Sequence, residues 1–148
     1  MKWLLDTNVI SEGVRKRPDQ AVVSWIATQR AQDIGISSVS VAELLNGVSA
    51  MTHGEQREQL ANWIATEVLA SARGRTLPVT TDILVNWLQL SRRLRVRRET
   101  RDPADLLIAS TAQISEMILV TRNVRHFALT GITVYNPWTN ETERMEAP

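Results

Sequence analysis

Three carboxylates and one amide stand where apolar stretches give way to polar ones. They are Asp6 closing "KWLLD", Glu43 in "SVAELL", Asp105 in "DPADLL" and Asn123 in "ILVTRN". Carboxylates brought to one place repel each other and stay together only when a cation neutralises them. With oxygen and amide donors alone, a hard ion such as Mg²⁺ or Mn²⁺ is the matching partner. Such a centre activates water for in-line attack on a phosphodiester and stabilises the developing charge. There is no cysteine, which excludes thiolate chemistry, disulfides and Cys-based zinc sites. The two histidines, His53 and His126, are too isolated for a His-rich centre; His126 in "NVRHF" lies within reach of the acid edge, with a surface position the simpler reading.

The elements that must position these groups alternate. "KWLL" (2–5), "DIGIS" (33–37), "TLPV" (76–79), "MILVT" (117–121) and "ITVYNPW" (132–138) are short, apolar and compatible with strands. Between them run helical patterns. "AVVSWIATQR" carries Val22, Val23, Trp25 and Ile26 near one side, and residues 38–51 repeat Val41, Leu44, Leu45 and Val48. Residues 55–70 carry Leu60, Ile64 and Val68, with Trp63 beside them, and residues 80–95 align Ile83, Trp87, Leu90 and Leu94. A further helix starts at "DPAD", with Asp102 as N-cap and Pro103 at the first helical position. "NVRHFA" predicts a short helix.

This alternation predicts one three-layer α/β/α domain with a central parallel sheet over residues 1–138, followed by a polar, frayed tail at 139–148. In such sheets ligands bind beyond the carboxyl ends of the strands. Asp6, Glu43, Asp105 and Asn123 fall at four separate strand-to-helix junctions along that edge. Each also has a capping explanation. Asp6, Thr7 or Asn8 caps a following helix, Ser40 and Glu43 match a capping box, Asp105 complements a helix dipole, and Asn123 suits an N-cap. Capping alone does not require acids from several distant segments at one edge.

The 148 residues are 43% apolar and 22% charged, with a net charge of +1. No apolar run is long enough for a membrane span, and "MKWLLD" does not read as a secretory signal, so a cytoplasmic protein is expected. The positive charge is concentrated. Arg92, Arg93, Arg95, Arg97, Arg98 and Arg101 crowd into "SRRLRVRRETRD". Guanidinium forks suit phosphate, so this run is either a nucleic-acid contact or a solvated helix face. Trp25, Trp63 and Trp87 lie on apolar stripes and read as core or dimer contacts.

"LLDTNVISE", "SSVSVAELLNGV", "DPADLLIASTA", "LVTRNVRHF" and a closing "NPW", in this order, resemble a PIN domain. The similarity is to the VapC ribonuclease toxins of bacterial toxin–antitoxin pairs, within them to the FitB-like branch, and it spans nearly the whole chain. It implies a Mg²⁺-dependent endoribonuclease, with Mn²⁺ as a substitute, that cleaves RNA. It also implies homodimers and a cognate antitoxin laid across the active site, with DNA contacted only through the antitoxin. Carried over by position, Asp6, Glu43 and Asp105 are the metal-binding acids and Asn123 stands at the fourth catalytic position. Thr7, Asn8, Ser40, Thr121 and Asp102 support them, the threonines and Asn8 by orienting water. Arg92, Arg93, Arg98, Arg101 and Arg122 are the expected RNA contacts. Many PIN domains place an aspartate where Asn123 stands, so this site has one negative charge fewer.

Two rivals follow from the same residues. A non-catalytic PIN-like module would bind nucleic acid or a partner without cutting. A haloacid-dehalogenase-type phosphatase also starts from an acid after strand 1. Here, however, Asn8 replaces that family's second aspartate, and Lys2 and Lys16 are the only lysines.

Overall fold

The computed structural model describes residues 1–148. In chain order it contains β1 (Trp3–Leu5), α1 (Thr7–Glu12), α2 (Gln20–Thr28), β2 (Ile34–Ser37), α3 (Ser38–Ser49) and α4 (Glu55–Trp63). The last runs on as a π-helical turn, Ile64–Leu69. Then come β3 (Thr76–Leu77), α5 (Thr81–Val96), α6 (Pro103–Ile114), β4 (Ile118–Val120), a 3₁₀ turn (Val124–Phe127), β5 (Thr133–Asn136) and β6 (Glu141–Arg144). The sheet order is β3-β2-β1-β4-β5-β6, parallel except for the antiparallel β5–β6 pair. β1 lies between β2 and β4, and the chain's connections run in opposite directions from that point. The crevice above β1 and β4 is therefore the topological switch of the sheet.

Alternation along each strand builds two cores. Leu4 and Leu119 face one side and pack with Leu90 and Leu94 of α5, Leu106, Ile108 and Ala109 of α6, and Phe127. Leu5 and Val120 face the other and pack with Val9, Val22, Ile36, Leu44, Val48 and Ile64. Trp25 stacks edge-on to Trp3 and tilts against Tyr135, while Trp87 lies partly buried against the first core, in line with the expectation for these indoles. The register sets Leu5 opposite Ile36 on one side and Val120 on the other, so Asp6, Ser37 and Thr121 emerge in one row.

The helix expected after Asp6 forms as α1, with Asp6 as its N-cap. One expectation is corrected. The tail is not frayed: Glu141–Arg144 pairs with β5 in register, Thr133 to Arg144 through Asn136 to Glu141. Met145 is buried, and its N–H donates to the Ile132 carbonyl at 2.8 Å. The strand was hidden because all four of its side chains are exposed and polar; backbone pairing holds it. It also covers what would be an open edge of β5. Met145→Ala should cost on the order of 2 kcal/mol, read as a lowered denaturation midpoint, and removal of residues 139–148 should cost more and promote aggregation.

Candidate active site

Asp6 leaves β1 with extended backbone (φ −76°, ψ 159°) and is 5% exposed. One carboxylate oxygen accepts from the Thr7 N–H at 2.8 Å. The other accepts from the Thr121 hydroxyl at 2.6 Å and the Asn8 amide at 2.9 Å. Thr121 is itself a hub. Its Oγ1 accepts from Asn8 Nδ2 at 3.0 Å and from the Asn123 N–H at 3.0 Å. Asn8 closes the network by accepting the Arg122 N–H at 3.1 Å. Burial pushes the Asp6 carboxyl above its ordinary range, and the bonds from Thr121, Thr7 and Asn8 pull against that shift.

Glu43 reaches the same crevice from α3, where its Oε2 accepts from Thr7 Oγ1 at 2.5 Å. The capping box expected at Ser40 does not form. β2 passes into α3 without a loop, so the N-cap is Ser37, whose Oγ accepts from the Ser40 N–H at 2.9 Å. Ser40 is buried against Ser37, with the two hydroxyls 3.0 Å apart, and Glu43 lies too far along the helix to reach back to the cap. Asp102 is the N-cap of α6, as expected, accepting from the Ala104 N–H at 2.8 Å ahead of Pro103. That cap aims Asp105, in the first turn, at the crevice.

The Asp105 carboxyl is raised to about 6, first by burial and further by the like charges of Asp6 and Asp102, while His126 opposes the shift. His126 Nδ1 lies 3.1 Å from Asp105 Oδ2. His126 is exposed, as expected, and it also approaches the acid edge, the alternative that its sequence position offered. The clue available in sequence was its place three residues after Asn123, on the turn that follows β4. Ser11 of α1 also borders the site and was not anticipated.

These elements enclose a polar cleft of about 420 Å³ lined by Asp6, Thr7, Asn8, Ser11, Glu43, Asp102, Asp105, Asn123 and His126, with no apolar residue among them. Every junction acid, and the amide, lines this one cleft. No three of its acidic or histidine groups converge tightly enough to hold an ion unaided. The arginines divide. Arg101 borders an adjoining cavity, and Arg122 lies over the Trp138 ring at 5.5 Å. Arg92, Arg93 and Arg98 are exposed and line neither cavity. On the opposite core face an apolar groove of about 400 Å³ opens between α1, α2, β2 and α4, bordered by Val9, Ile26, Ile36 and Trp63. It holds none of the junction acids.

A carboxylate cleft at the switch point of a parallel sheet, with acids drawn from β1, α3 and α6, defines the class. The chain belongs to the PIN-domain family, whose pattern matches residues 3–131. It is 36% identical to "VapC ribonuclease Y4jK" of Sinorhizobium fredii over 91% of this chain and 96% of that protein. It is 32% identical to "Toxin FitB" of Neisseria gonorrhoeae over 91% of this chain and 97% of the relative. A solved structure described as FitAB bound to an IR36 DNA fragment superposes with a TM-score of 0.85 at 32% identity, covering 92% of this chain and 95% of that one.

Thr121→Val keeps the side-chain shape but removes the hydroxyl that Asp6, Asn8 and Asn123 share. Loss of such supporting bonds costs about 10–100-fold at a metal-dependent site. Cleavage rates should fall within that range, with a circular dichroism spectrum unchanged from the parent.

Proposed function

We propose that the chain is the endoribonuclease toxin of a toxin–antitoxin pair, acting in the cytoplasm and dependent on Mg²⁺, with Mn²⁺ as a substitute. The observation that carries this reading is the convergence of Asp6, Glu43, Asp105 and Asn123 on one cleft without an apolar wall. The donor set fits a hard divalent ion. Its acids and Asn123 offer oxygens, His126 being the one imidazole in the lining, and Asp6 and Asp105 both carry raised carboxyls, the Asp105 shift including repulsion from Asp6, which a cation relieves. Mg²⁺ commonly takes one or two carboxylates and leaves its other positions to water and substrate phosphate, so three converging acids are not required.

Asp6 and Asp105 would hold the ion, and Glu43 would add negative charge across the cleft. When bound, the ion supplies Lewis-acid polarisation of the phosphodiester. The protein's own residues do the rest. Thr121 and Asn8 fix the Asp6 carboxylate, Thr7 fixes Glu43, and Asn123 presents an uncharged donor–acceptor to the substrate. Arg101 and Arg122 flank the cleft at positions suited to an RNA backbone, with Arg92, Arg93 and Arg98 contributing longer-range attraction.

The named relatives support an antitoxin partner, through which DNA is contacted, and the apolar groove beside Trp63 offers it an anchoring surface. The exposed Leu84, Val85 and Leu88 of α5 support a homodimer, testable by light scattering. No helix is long and apolar enough to cross a membrane. The activity is tested by incubating purified protein with a structured-RNA pool in Mg²⁺, in Mn²⁺ and in EDTA. Products in the first two and none in EDTA are expected. RNA retention with no cleavage in any metal would replace this reading by the non-catalytic binding module.

A further inference from the structure

Beside the acid cleft lies a second cavity of about 370 Å³, bounded by Thr100, Arg101, Asp102, Asp105, Arg125 and His126. No hydrophobic residue lines it, and it shares Asp102, Asp105 and His126 with the cleft, so the two are continuous. Arg101 Nη1 donates to Glu99 at 2.9 Å and to the Thr100 carbonyl at 2.8 Å, which leaves its Nε buried without an acceptor. Arg125 is exposed and makes no ion pair. Asp102 uses only Oδ1, on the Ala104 N–H, so its second oxygen makes no hydrogen bond, and the residue borders both cavities.

A bare phosphate is poorly served here, because Asp102 and Asp105 repel it. A lining with guanidinium donors and a free carboxylate acceptor suits a group that carries both a phosphate and a hydroxyl. We infer that this cavity holds one sugar–phosphate unit of an RNA strand next to the acid cleft. Arg125 contacts the phosphate, and the free oxygen of Asp102 accepts a hydrogen bond from the ribose 2′-OH. A DNA strand offers no such donor and leaves that carboxylate against a carbon. Asp102 thus sets the sugar preference of the site, an assignment that rests on the ribonuclease reading above.

The test is fluorescence anisotropy with a 5′-fluorescein single-stranded RNA and the DNA of the same sequence, in Ca²⁺ in place of Mg²⁺. Wild type is compared with Asp102→Ser and Arg125→Ala. Serine is also a strong N-cap, so Asp102→Ser keeps α6 closed, which thermal denaturation verifies. Wild type should bind RNA more tightly than DNA, and Asp102→Ser should shrink that ratio about tenfold, as expected for a lost hydrogen bond to a charged group. Arg125→Ala should weaken both strands alike and lower the log–log salt slope by about 0.7. An unchanged RNA-to-DNA ratio in Asp102→Ser, or no RNA preference in wild type, overturns the assignment. If Mg²⁺-dependent cleavage occurs while the ratio does not respond, only the ribose site fails. If the ratio responds but no RNA is cut, the ribonuclease reading fails and the ribose site stands.

Discussion

Asp6→Asn should reduce Mg²⁺-dependent RNA cleavage at least about a hundredfold, to the level of the EDTA control, in a protein that still folds. The substitution is isosteric and keeps the acceptor facing the Thr7 N–H. It replaces the other carboxylate oxygen with an NH₂ aimed at Thr121 and at the Asn8 amide, two groups that now donate to it. Both lone pairs of Thr121 Oγ1 already accept, from Asn8 and from the Asn123 N–H, and Asn8 Nδ2 has none to offer, so the new NH₂ meets donors on both sides unless one of those bonds is given up. Two effects on stability then oppose each other. The variant no longer buries a carboxylate whose ionisation is disfavoured, and it loses a charge-assisted bond. The folded fraction should therefore stay close to wild type, and the large loss should appear in the cleavage rate alone. Cleavage by Asp6→Asn at the wild-type rate would mean that the activity resides elsewhere or comes from a contaminant.

Asp105→Asn has the opposite character: the enzyme is lost and the fold gains. The native Asp105 carboxyl titrates near 6 against 3.8 for the free group, so the folded state holds this proton more tightly than the unfolded chain does. Stability contributed by Asp105 is therefore greatest at low pH and is lost as pH rises from about 4 to about 6. Above that, the ionised carboxylate costs on the order of 1–2 kcal/mol, less than the full shift because the group is partly exposed to solvent. Asparagine carries no such cost and can still accept from His126. In scanning calorimetry without divalent ions, Asp105→Asn should melt several degrees above wild type at pH 7.5, and the two should converge near pH 4. Adding Mg²⁺ at pH 7.5 should raise the wild-type midpoint and leave the variant almost unmoved. A variant less stable than wild type at pH 7.5 would show that the His126–Asp105 contact outweighs the desolvation of the carboxylate.

Most of the frame was readable before any coordinates, because its signals are periodic or chemical. The stripes Val41/Leu44/Val48 and Ile83/Leu90/Leu94 report a buried helix face directly, and Asp102-Pro103 announces a helix start. Asp6 was legible for a different reason, as a charged group directly after a buried strand. Glu43 lies within α3 and Asp105 follows α5 with no strand between, so these two stood out through their order in the chain and their resemblance to a known pattern. What stayed hidden lacks such signals. A helix after Asp6 was expected, but the extent of α1, six residues and shorter than two helical turns, leaves no periodic signal. β6 exposes every side chain and is specified by backbone pairing, which leaves no mark on residue type. The cap of α3 was misplaced at Ser40 because a capping-box pattern carries no information on whether a loop precedes the helix. Here none does, and Ser37 ends the strand and caps the helix at once. His126 depends on where a 3₁₀ turn folds back over α6, a tertiary fact that local pattern cannot supply.

The shared row of Asp6, Ser37 and Thr121 makes the hydrophobic core a proofreader of the active site. Sliding β4 by one residue against β1 would turn Leu119 and Val120 to the wrong layers, and it would bring Val120 or Arg122 to the place where Asp6 meets the Thr121 hydroxyl. The penalty for that slip falls on buried leucine and valine, not on the polar groups whose alignment is at stake. Chemistry at the sheet edge is thus held in tolerance by apolar side chains that never touch it. Core substitutions at Leu119 or Val120 that keep the protein folded are expected to show themselves first as misaligned catalysis.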